Sequence, residues 1–404
     1  MMKPIRFLTA CFLAGCFVFG GCAAQQQPQT VAGSEEQPES ITEKDLQIRS
    51  EAAQQPPLDD LIEQPQEQPL LRFAIIADMN GRYGSDQYDA EVVKSIDMII
   101  ADRPDIVINV GDMVAGQKPK LDYRKMWVGF HAVVTSRLAD AGILMAQVPG
   151  NHDASAYEKY QVEREIYIDE WNQRKPALDY VDDSNYPLYY SFKHKGVFFI
   201  ALDATKLEPL DDVQYEWLAG QLANNPTEYG AIVIAHVPLF PITTIKPTEI
   251  LRDDRLPDLF SKHRVQMMVT GHQHAYFPAQ LDGVIYLHTG ALGGGPRPVR
   301  QNDGIVPKTL TYVSLYKNHP PYIDTELIAN GQHVGKFNHN LLPTYIMFGN
   351  SILPRVDIQM DDAEFAREYM ISPHMTRSQM LTLIEALKAN DGNWSKLPDW
   401  RENQ

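Results

Sequence analysis

Five groups of polar residues carry side chains that can bind a metal or move a proton, and each group follows a short apolar run. The groups are Asp78-Met79-Asn80, Gly111-Asp112, Gly150-Asn151-His152-Asp153, His236 and Gly271-His272-Gln273-His274. All three cysteines lie within the first 22 residues, so the rest of the chain has no thiolate for a zinc site, an iron–sulfur cluster or a nucleophile. A metal in the body of the protein must therefore be held by His, Asp, Glu or Asn.

The apolar runs before these groups have the length and composition of buried strands. They cover residues 73–77, 106–110, 144–148, 231–235 and 265–270. Helical patterns separate several of them; after the first run, Val92, Ile96 and Ile99 share one face of a predicted helix. Ligands of open α/β sheets bind beyond the carboxyl ends of the strands, so we expect the polar groups to converge on one site.

Each polar residue also has a purely structural explanation when it is taken alone. Asn151 can make a turn, Asp78 can cap a helix and His236 can be a buried, hydrogen-bonded histidine. Five such coincidences, each at a predicted strand end, are harder to explain than one shared site. The pattern as a whole therefore favours a functional site.

The order of the five groups resembles the calcineurin-like metallophosphoesterase family over about residues 71–300. The resemblance implies an α/β fold, a four-layer α/β/β/α sandwich of two mixed sheets. It also implies a dinuclear site, in which two divalent ions about 3.5–4 Å apart activate a water molecule for attack on a phosphoric ester. The expected substrate is a small phosphoester, and monoesters, diesters and pyrophosphates all remain open.

The resemblance assigns ligands to both ions, with one carboxylate shared between them. The ligands are Asp78 and His274 for the first ion, Asn151, His236 and His272 for the second, and Asp112 for both. Oxygen and imidazole ligands together favour manganese, with iron or zinc as alternatives. His152 would stand beside the leaving-group oxygen as an acid or electrostatic partner, and Asp153 would orient its ring.

One position departs from the family's pattern, and the pattern of its purple acid phosphatase subgroup does not fit either. Many members have a histidine two residues after the first aspartate, whereas this chain has Asn80. We expect Asn80 to face the first ion, because residues i and i+2 of a strand end point to the same side, and to bind it more weakly than an imidazole would. Met113, Val114 and Ala115 follow Asp112 without a tyrosine ligand, so a tyrosinate–iron site is not expected. A weakened first site keeps one alternative open, a non-catalytic binding or envelope-structural lipoprotein that retains the fold.

The N-terminus has the anatomy of a bacterial lipoprotein signal peptide, predicted over residues 1–22. A short basic start precedes residues 7–21, an apolar run shorter than the roughly 20 residues of a membrane-spanning helix. The run contains Cys16 and ends at Cys22, and both cysteines close a lipobox-like sequence. Cys22 is favoured as the lipidation site because polar chain follows it. The protein is thus expected to be lipid-anchored in the bacterial cell envelope, facing the periplasm or the surface, and Ala23 favours the outer membrane.

Residues 23–69 contain 11 Gln, 6 Pro and no aromatic residue, a composition typical of a disordered tether. The metallophosphoesterase domain is then expected over residues 70–310. A C-terminal extension over 311–404 would carry helices at 362–370 and 377–389. The formal net charge of −16 argues against nucleic acid as a partner, because phosphate backbones require Lys and Arg. The sequence does not indicate an oligomeric state.

Overall fold

The structure is a computed structural model that describes residues 58–301, 308–348 and 351–358. The predicted signal peptide, most of the predicted tether and both predicted C-terminal helices lie outside the described residues. Within these ranges, none of the helices combines the length and the apolar character that crossing a bilayer requires.

The described residues form strands that we number in chain order. They are β1 (Leu71–Ile76), β2 (Ile106–Asn109), β3 (Met145–Gln147), β4 (Asp179–Asn185), β5 (Tyr189–His194), β6 (Val197–Ala201), β7 (Ala231–Ile234), β8 (Val265–Thr270), β9 (Phe277–Leu281), β10 (Val284–His288), β11 (Lys308–Leu315), β12 (Tyr322–Ala329), β13 (Gln332–Lys336), β14 (Tyr345–Phe348) and β15 (Ser351–Pro354). One sheet has the order β13-β12-β11-β1-β2-β3, a second has the order β4-β5-β6-β7-β8-β10-β9, and β14 pairs with β15.

Helices lie in the connections between the strands. They are α1 (Ala90–Asp102), α2 (Tyr123–Phe130), α3 (Ser136–Asp140), α4 (Asn151–Ala154), α5 (Gln161–Gln173), α6 (Asp212–Ala223) and α7 (Arg255–Lys262). A π-helical turn, His131–Thr135, joins α2 to α3, and 3-10 turns occupy Glu158–Tyr160 and His339–Leu341. Aspartates begin two of the helices: Asp122 accepts a hydrogen bond from Lys125 N and Asp211 accepts one from Gln214 N, which satisfies a free N–H in each first turn.

Successive side chains of β1 point to opposite faces of the first sheet and pack into two different cores. Phe73 and Ile75 belong to the core that fills the space between the two sheets, whereas Ala74 and Ile76 belong to the core between the first sheet and its helices. Phe73 meets Phe199 of the second sheet edge to face, with ring centroids 5.9 Å apart. Residues of α6 and α7 pack on the other side of the second sheet. The expected α/β/β/α sandwich is confirmed.

Both sheets are mixed, and their parallel portions carry the polar groups. β1, β2 and β3 run parallel in the first sheet, and β6, β7, β8 and β10 run parallel in the second. The remaining pairings are antiparallel. The carboxyl ends of neighbouring parallel strands therefore meet at one edge of each sheet.

The predicted domain boundary at residue 310 is wrong because it divides β11. This strand pairs antiparallel with β1, with Leu315 opposite Leu71 and Thr311 opposite Ile75, and β12 and β13 extend the same sheet. The β14–β15 hairpin follows, and a bridge between Arg355 and Ala279 attaches it beside β9. Residues beyond 310 thus complete the sandwich rather than extend from it.

The last part of the predicted tether is also structured. The carbonyl of Leu58 accepts a hydrogen bond from His339 N at 2.8 Å. Asp60 accepts hydrogen bonds from Tyr322 Oη at 2.5 Å and Lys336 Nζ at 3.0 Å. The composition of this stretch predicted disorder, but its few apolar and acidic residues find partners on the first sheet and its flanking turn.

Candidate metal centre

The five polar groups come together at the carboxyl edge of the parallel strands. The connections after β1, β2 and β3 contribute side chains from the first sheet, and those after β7 and β8 contribute side chains from the second. The predicted ligands that carry carboxylate or imidazole groups are Asp78, Asp112, His236, His272 and His274, and all are buried or nearly so.

The first cluster contains Asp78, Asp112 and His274, whose ligand atoms all lie within 4.8 Å of one another. His274 Nε2 is 3.3 Å from Asp78 Oδ1. The other ring nitrogen, Nδ1, is 3.0 Å from the carbonyl oxygen of Gly295, to which it donates in a neutral ring. Nε2 then directs a lone pair at a carboxylate, an arrangement that a cation between them stabilises.

The second cluster contains Asp112, Asn151, His236 and His272, and here too a ring nitrogen faces oxygen atoms. His236 Nδ1 lies 2.8 Å from the carbonyl oxygen of Val110, so a neutral ring has its lone pair on Nε2. That nitrogen is 2.9 Å from Asn151 Oδ1 and 3.3 Å from Asp112 Oδ1. His272 Nδ1 is 2.8 Å from the same Asn151 oxygen and 3.3 Å from His236 Nε2. Four atoms that can bind a metal, Asp112 Oδ1, Asn151 Oδ1, His236 Nε2 and His272 Nδ1, thus face one small space.

The two clusters share Asp112, and their donor atoms fit two cations. Buried acceptors that face one another without enough protons repel, and a metal ion removes that repulsion. The ligand sets assigned from the resemblance are the sets that lie together in the structure. Their role as ligands stays a prediction until metal binding is measured.

Charge at the site favours the ionised form of Asp78. Burial by itself would raise the pKa of this carboxyl, but the imidazoles of His274, His236 and His272 outweigh burial and lower the pKa to about 2. Burial also lowers the pKa of His272, with Glu249 opposing the shift. A bound metal ion would supply the positive charge that keeps Asp78 ionised, and it would bind His272 in the neutral form that burial favours.

Four of the site residues have positive φ angles, a backbone conformation that residues other than glycine rarely adopt. The φ angles are 47° at Asp78, 56° at Asp112, 67° at His272 and 51° at His274. The carboxylate of Asp78 helps to hold the last loop, because His272 N donates to its two oxygens at 3.2 and 3.0 Å. Such conformations cluster at functional sites, where the surrounding structure over-determines them.

Glycines allow the loops after β2 and β3 to approach each other. A Cβ atom on Gly150 would lie 2.0 Å from Asp112 N and 2.3 Å from Asp112 Oδ1. Gly111 has φ 96°, and a Cβ atom there would lie 2.7 Å from Gly150 Cα. The shared carboxylate can reach its position only because neither residue has a side chain.

Asn80 is buried beside the first cluster, and its environment constrains only one end of its amide. Nδ2 donates to the carbonyl oxygen of Val114 at 3.4 Å, and the backbone N–H donates to the carbonyl oxygen of Asp112 at 3.1 Å. The first bond uses the side-chain nitrogen of the amide and leaves its Oδ1 for another partner. Coordination of the first ion by Asn80 stays a prediction.

His152 lies at the rim of the second cluster. Its backbone N–H donates to Asp112 Oδ1 at 2.9 Å, which ties the residue to the shared carboxylate. Its ring nitrogen Nδ1 is 3.2 Å from the carbonyl oxygen of Gly116, and its ring centroid is 5.6 Å from that of Tyr83, which is 49% exposed. With the Nδ1 proton directed at Gly116, the neutral ring has its free lone pair on Nε2.

The prediction that Asp153 orients His152 is wrong. Asp153 is fully buried, and its Oδ1 accepts hydrogen bonds from Met113 N at 2.7 Å and Val114 N at 2.8 Å. Its Oδ2 accepts one from Gly150 N at 3.0 Å. Asp153 therefore joins the loop after β3 to the loop after β2, and the backbone of Gly116 orients the histidine instead.

The sequence did not reveal two loop residues that contact predicted ligands. Gln117 Oε1 accepts a hydrogen bond from Asn151 Nδ2 at 3.3 Å, which turns the Asn151 oxygen toward the two histidines. Glu249 Oε2 lies 3.2 Å from His272 Nε2. Burial raises the pKa of Glu249, but hydrogen bonds with His272 and Lys246 outweigh burial and lower it to about 2. Neither residue is part of a motif, so only the path of its loop shows the contact.

Comparisons with known proteins find phosphatases that are similar to this chain. Purple acid phosphatase 13 of Arabidopsis thaliana is 28% identical over 190 residues, which are 44% of this chain and 32% of that protein. The fold is similar to that of a purple acid phosphatase from yellow lupin (Lupinus luteus) seeds, with a TM-score of 0.51 and 17% identity over 69% of this chain and 56% of that one. A dimetal phosphatase from Danio rerio has a TM-score of 0.45 and 14% identity, over 67% of this chain and 96% of that one.

The chain covers about a third of the length of the Arabidopsis relative, and the likeness to the lupin enzyme concerns the fold alone. The family itself is shown by a separate match. Residues 71–276 match the calcineurin-like phosphoesterase family, and that range extends from β1 through His274 and so contains all five polar groups. With half of its length and its whole candidate metal centre inside that match, this chain belongs to the calcineurin-like phosphoesterase family.

Proposed function

We propose that this chain is a metal-dependent hydrolase of phosphoric esters with two divalent ions and an activated water molecule. The supporting observation is the pair of clusters that share Asp112, because a cation in each cluster would relieve the repulsion between its acceptor atoms. When bound, two such ions supply Lewis-acid stabilisation of the phosphoryl oxygens and a water of lowered pKa.

The protein's own residues would position the substrate and its leaving group. Asp112 would lie between the ions and, through its bond to His152 N, hold His152 beside them. The Gly116 carbonyl would accept from His152 Nδ1 and so orient the ring. To act as an acid, the ring would also need a proton on Nε2, which it would pass to the leaving-group oxygen as the phosphorus–oxygen bond breaks. The exposed ring of Tyr83 would line the same side of the opening.

The composition of the first cluster supports manganese as the metal, with iron or zinc as alternatives. Asp78 and Asp112 offer carboxylate oxygens, Asn80 would add an amide oxygen, and His274 offers the single imidazole. Oxygen-rich sites favour harder cations. Ala115 follows Asp112 at the third position, without a tyrosine, and this supports a site other than the tyrosinate–iron type.

Activity on model phosphoesters tests the proposal. The full chain, purified in detergent and treated with EDTA, would be assayed with p-nitrophenyl phosphate and bis-p-nitrophenyl phosphate, with and without Mn²⁺. We expect turnover that requires added metal. Asp112→Asn should lower it by more than about 100-fold, because even outer-shell partners of metal ligands are typically worth 10- to 100-fold. Asp105→Asn is the matched control, because Asp105 lies at the opposite end of β2, where it accepts from Arg72 N.

The alternative is a non-catalytic binding or envelope-structural lipoprotein, and the observation that favours it is Asn80 in place of the usual histidine. Two bound ions without turnover of monoesters, diesters or pyrophosphate would support this alternative over the hydrolase.

We also propose that the protein is attached to the bacterial envelope by a lipid on Cys22. The support is the apolar run that ends at Cys22 and the polar, glutamine-rich stretch that follows it. Such a tether would allow the domain to reach small phosphoesters in the periplasm or at the surface while the anchor stays in the membrane, with Ala23 favouring the outer one.

A further inference from the structure

The loop between β7 and α7 is attached to the metal centre through one buried side chain. Gln273, between His272 and His274, is fully buried. Its Oε1 accepts hydrogen bonds from Ile242 N at 2.8 Å and Thr243 N at 3.1 Å. Thr243 Oγ1 also lies 3.5 Å from this oxygen. Gln273 Nε2 donates to the carbonyl oxygens of Lys246 at 3.3 Å and Glu249 at 3.0 Å, so four bonds to the backbone use both ends of the amide.

These four bonds determine where residues 242–249 run, and we call this segment loop 242–249. A satisfied buried amide is costly to break, because each group that loses its partner keeps its desolvation cost. The loop therefore has one position relative to the residue between the two histidines.

In that position the loop places the carboxylate of Glu249 beside the Nε2 atom of His272. Glu249 Oε2 lies 3.2 Å from His272 Nε2. The opposite ring nitrogen, Nδ1, faces Asn151 Oδ1 at 2.8 Å and His236 Nε2 at 3.3 Å. The imidazole thus stands between a carboxylate on one side and the acceptor atoms of the second cluster on the other.

We propose that Glu249 is a positioning residue for the second metal and that Gln273 places it. His272 Nε2 is buried, and its 3.2 Å contact with the Glu249 carboxylate is at ion-pair distance without the alignment of a hydrogen bond. The charge of the carboxylate favours the imidazole proton on Nε2, so that Nδ1 presents its lone pair to the space shared with Asn151 and His236. Gln273 joins the segment that carries Glu249 to the segment that carries His272 and His274. The inference rests on the proposed function only in requiring a second metal at this cluster.

Glu249 has a second partner, which provides a control. Lys246 Nζ lies 2.5 Å from Glu249 Oε2, and both side chains are about one-third exposed. A surface ion pair alone would make Lys246 as important as Glu249. A positioning role makes Glu249 important for metal binding and Lys246 nearly neutral.

The test measures manganese binding to the full chain in detergent after EDTA treatment. The variants are Glu249→Ala, Glu249→Gln and Gln273→Leu, with Lys246→Met as the control. Isothermal titration gives the dissociation constant of each ion, and electron paramagnetic resonance distinguishes a spin-coupled manganese pair from a single ion. Hydrogen exchange reports on loop 242–249.

We expect Glu249→Ala to weaken the second ion by about 10- to 100-fold and leave the first within about twofold. The spin-coupled signal should give way to that of a single ion. Glu249→Gln should lie between the wild type and Glu249→Ala, because its amide oxygen can still accept from Nε2. Gln273→Leu should weaken the second ion and also speed exchange in loop 242–249, whereas Lys246→Met should bind both ions within about twofold of the wild type.

Two manganese ions bound by Glu249→Ala with wild-type affinity would overturn the inference, as would a loss in Lys246→Met equal to that in Glu249→Ala. A wild-type chain that binds only one ion would overturn it as well. These outcomes differ from failure of the proposed function, in which the wild-type chain binds two ions but hydrolyses no phosphoester.

Discussion

A single methyl group at Gly150 should displace the shared ligand of the metal centre. The backbone at this residue has φ −92° and ψ 165°, which alanine adopts without strain. The added Cβ would nevertheless lie 2.0 Å from Asp112 N and 2.3 Å from Asp112 Oδ1. Gly150→Ala therefore tests the close approach of the two loops separately from backbone conformation.

The size of the effect follows from how far the atoms must move. Ordinary contacts of a Cβ atom begin at about 3.4 Å, so the loops must separate by about 1 Å or more. Overpacking of this kind typically costs about 1–3 kcal/mol of unfolding free energy. A ligand misplaced by about 1 Å can also lower turnover by roughly 100-fold. We expect both effects, together with loss of at least one bound ion.

The assay combines urea unfolding in EDTA, metal content after dialysis against Mn²⁺, and turnover of bis-p-nitrophenyl phosphate. The matched control is Gly220→Ala in α6, where an added Cβ meets nothing within 4 Å. Alanine should raise the unfolding free energy there by about 0.5–1 kcal/mol without changing metal content. If Gly150→Ala keeps two ions and unfolds within about 0.5 kcal/mol of the wild type, the reasoning from close approach is refuted.

Three further changes have defined outcomes. Asn80→His should bind the first ion more tightly, as measured by titration with Mn²⁺, and an Asn80→Ala variant with unchanged metal content and turnover would show that this residue does not face the ion. Cys22→Ala should release the protein from membranes in a fractionation experiment and Cys16→Ala should not; the opposite pattern would move the lipidation site. Burial lowers the pKa of His339 to about 4, so the unfolded chain binds a proton that the folded chain does not between about pH 6.5 and pH 4. The unfolding free energy should therefore fall by about 2 kcal/mol from this residue between pH 7 and pH 5, and urea unfolding of His339→Gln at the two pH values should lack that part of the slope.

The buried strands and the location of the site could be predicted because they depend on local patterns, whereas the four-layer sandwich is what the family resemblance implies. Alternation along β1 places Phe73 and Ile75 on one face and Ala74 and Ile76 on the other, and that period is written into consecutive residues. Polar residues that end apolar strands must lie at the carboxyl edge of the sheet, because the chain leaves the core there. No knowledge of distant contacts is needed for either inference.

The contacts that orient the site could not be predicted, because they join segments that are far apart in sequence. Asp153 bonds to the backbone of Met113, 40 residues away, and His152 bonds to the carbonyl of Gly116. Every residue has a backbone N–H or carbonyl, so the sequence does not distinguish the one that serves as a partner.

The position of β11 and of Glu249 depends on tertiary packing for the same reason. β11 reads as a strand in isolation, but its place beside β1 comes from pairing Leu315 with Leu71 across most of the domain. Glu249 lies in a loop without regular structure, and its carboxylate reaches His272 because Gln273 and the backbone bonds of Ile242 and Thr243 fix the path of that loop. The sequence by itself thus determines which side chains meet, through residue types and the positions of strand ends. The tertiary structure determines which of their atoms face one another, because that depends on the paths of the loops. Those paths are set by hydrogen bonds and packing that form only when the whole sandwich closes.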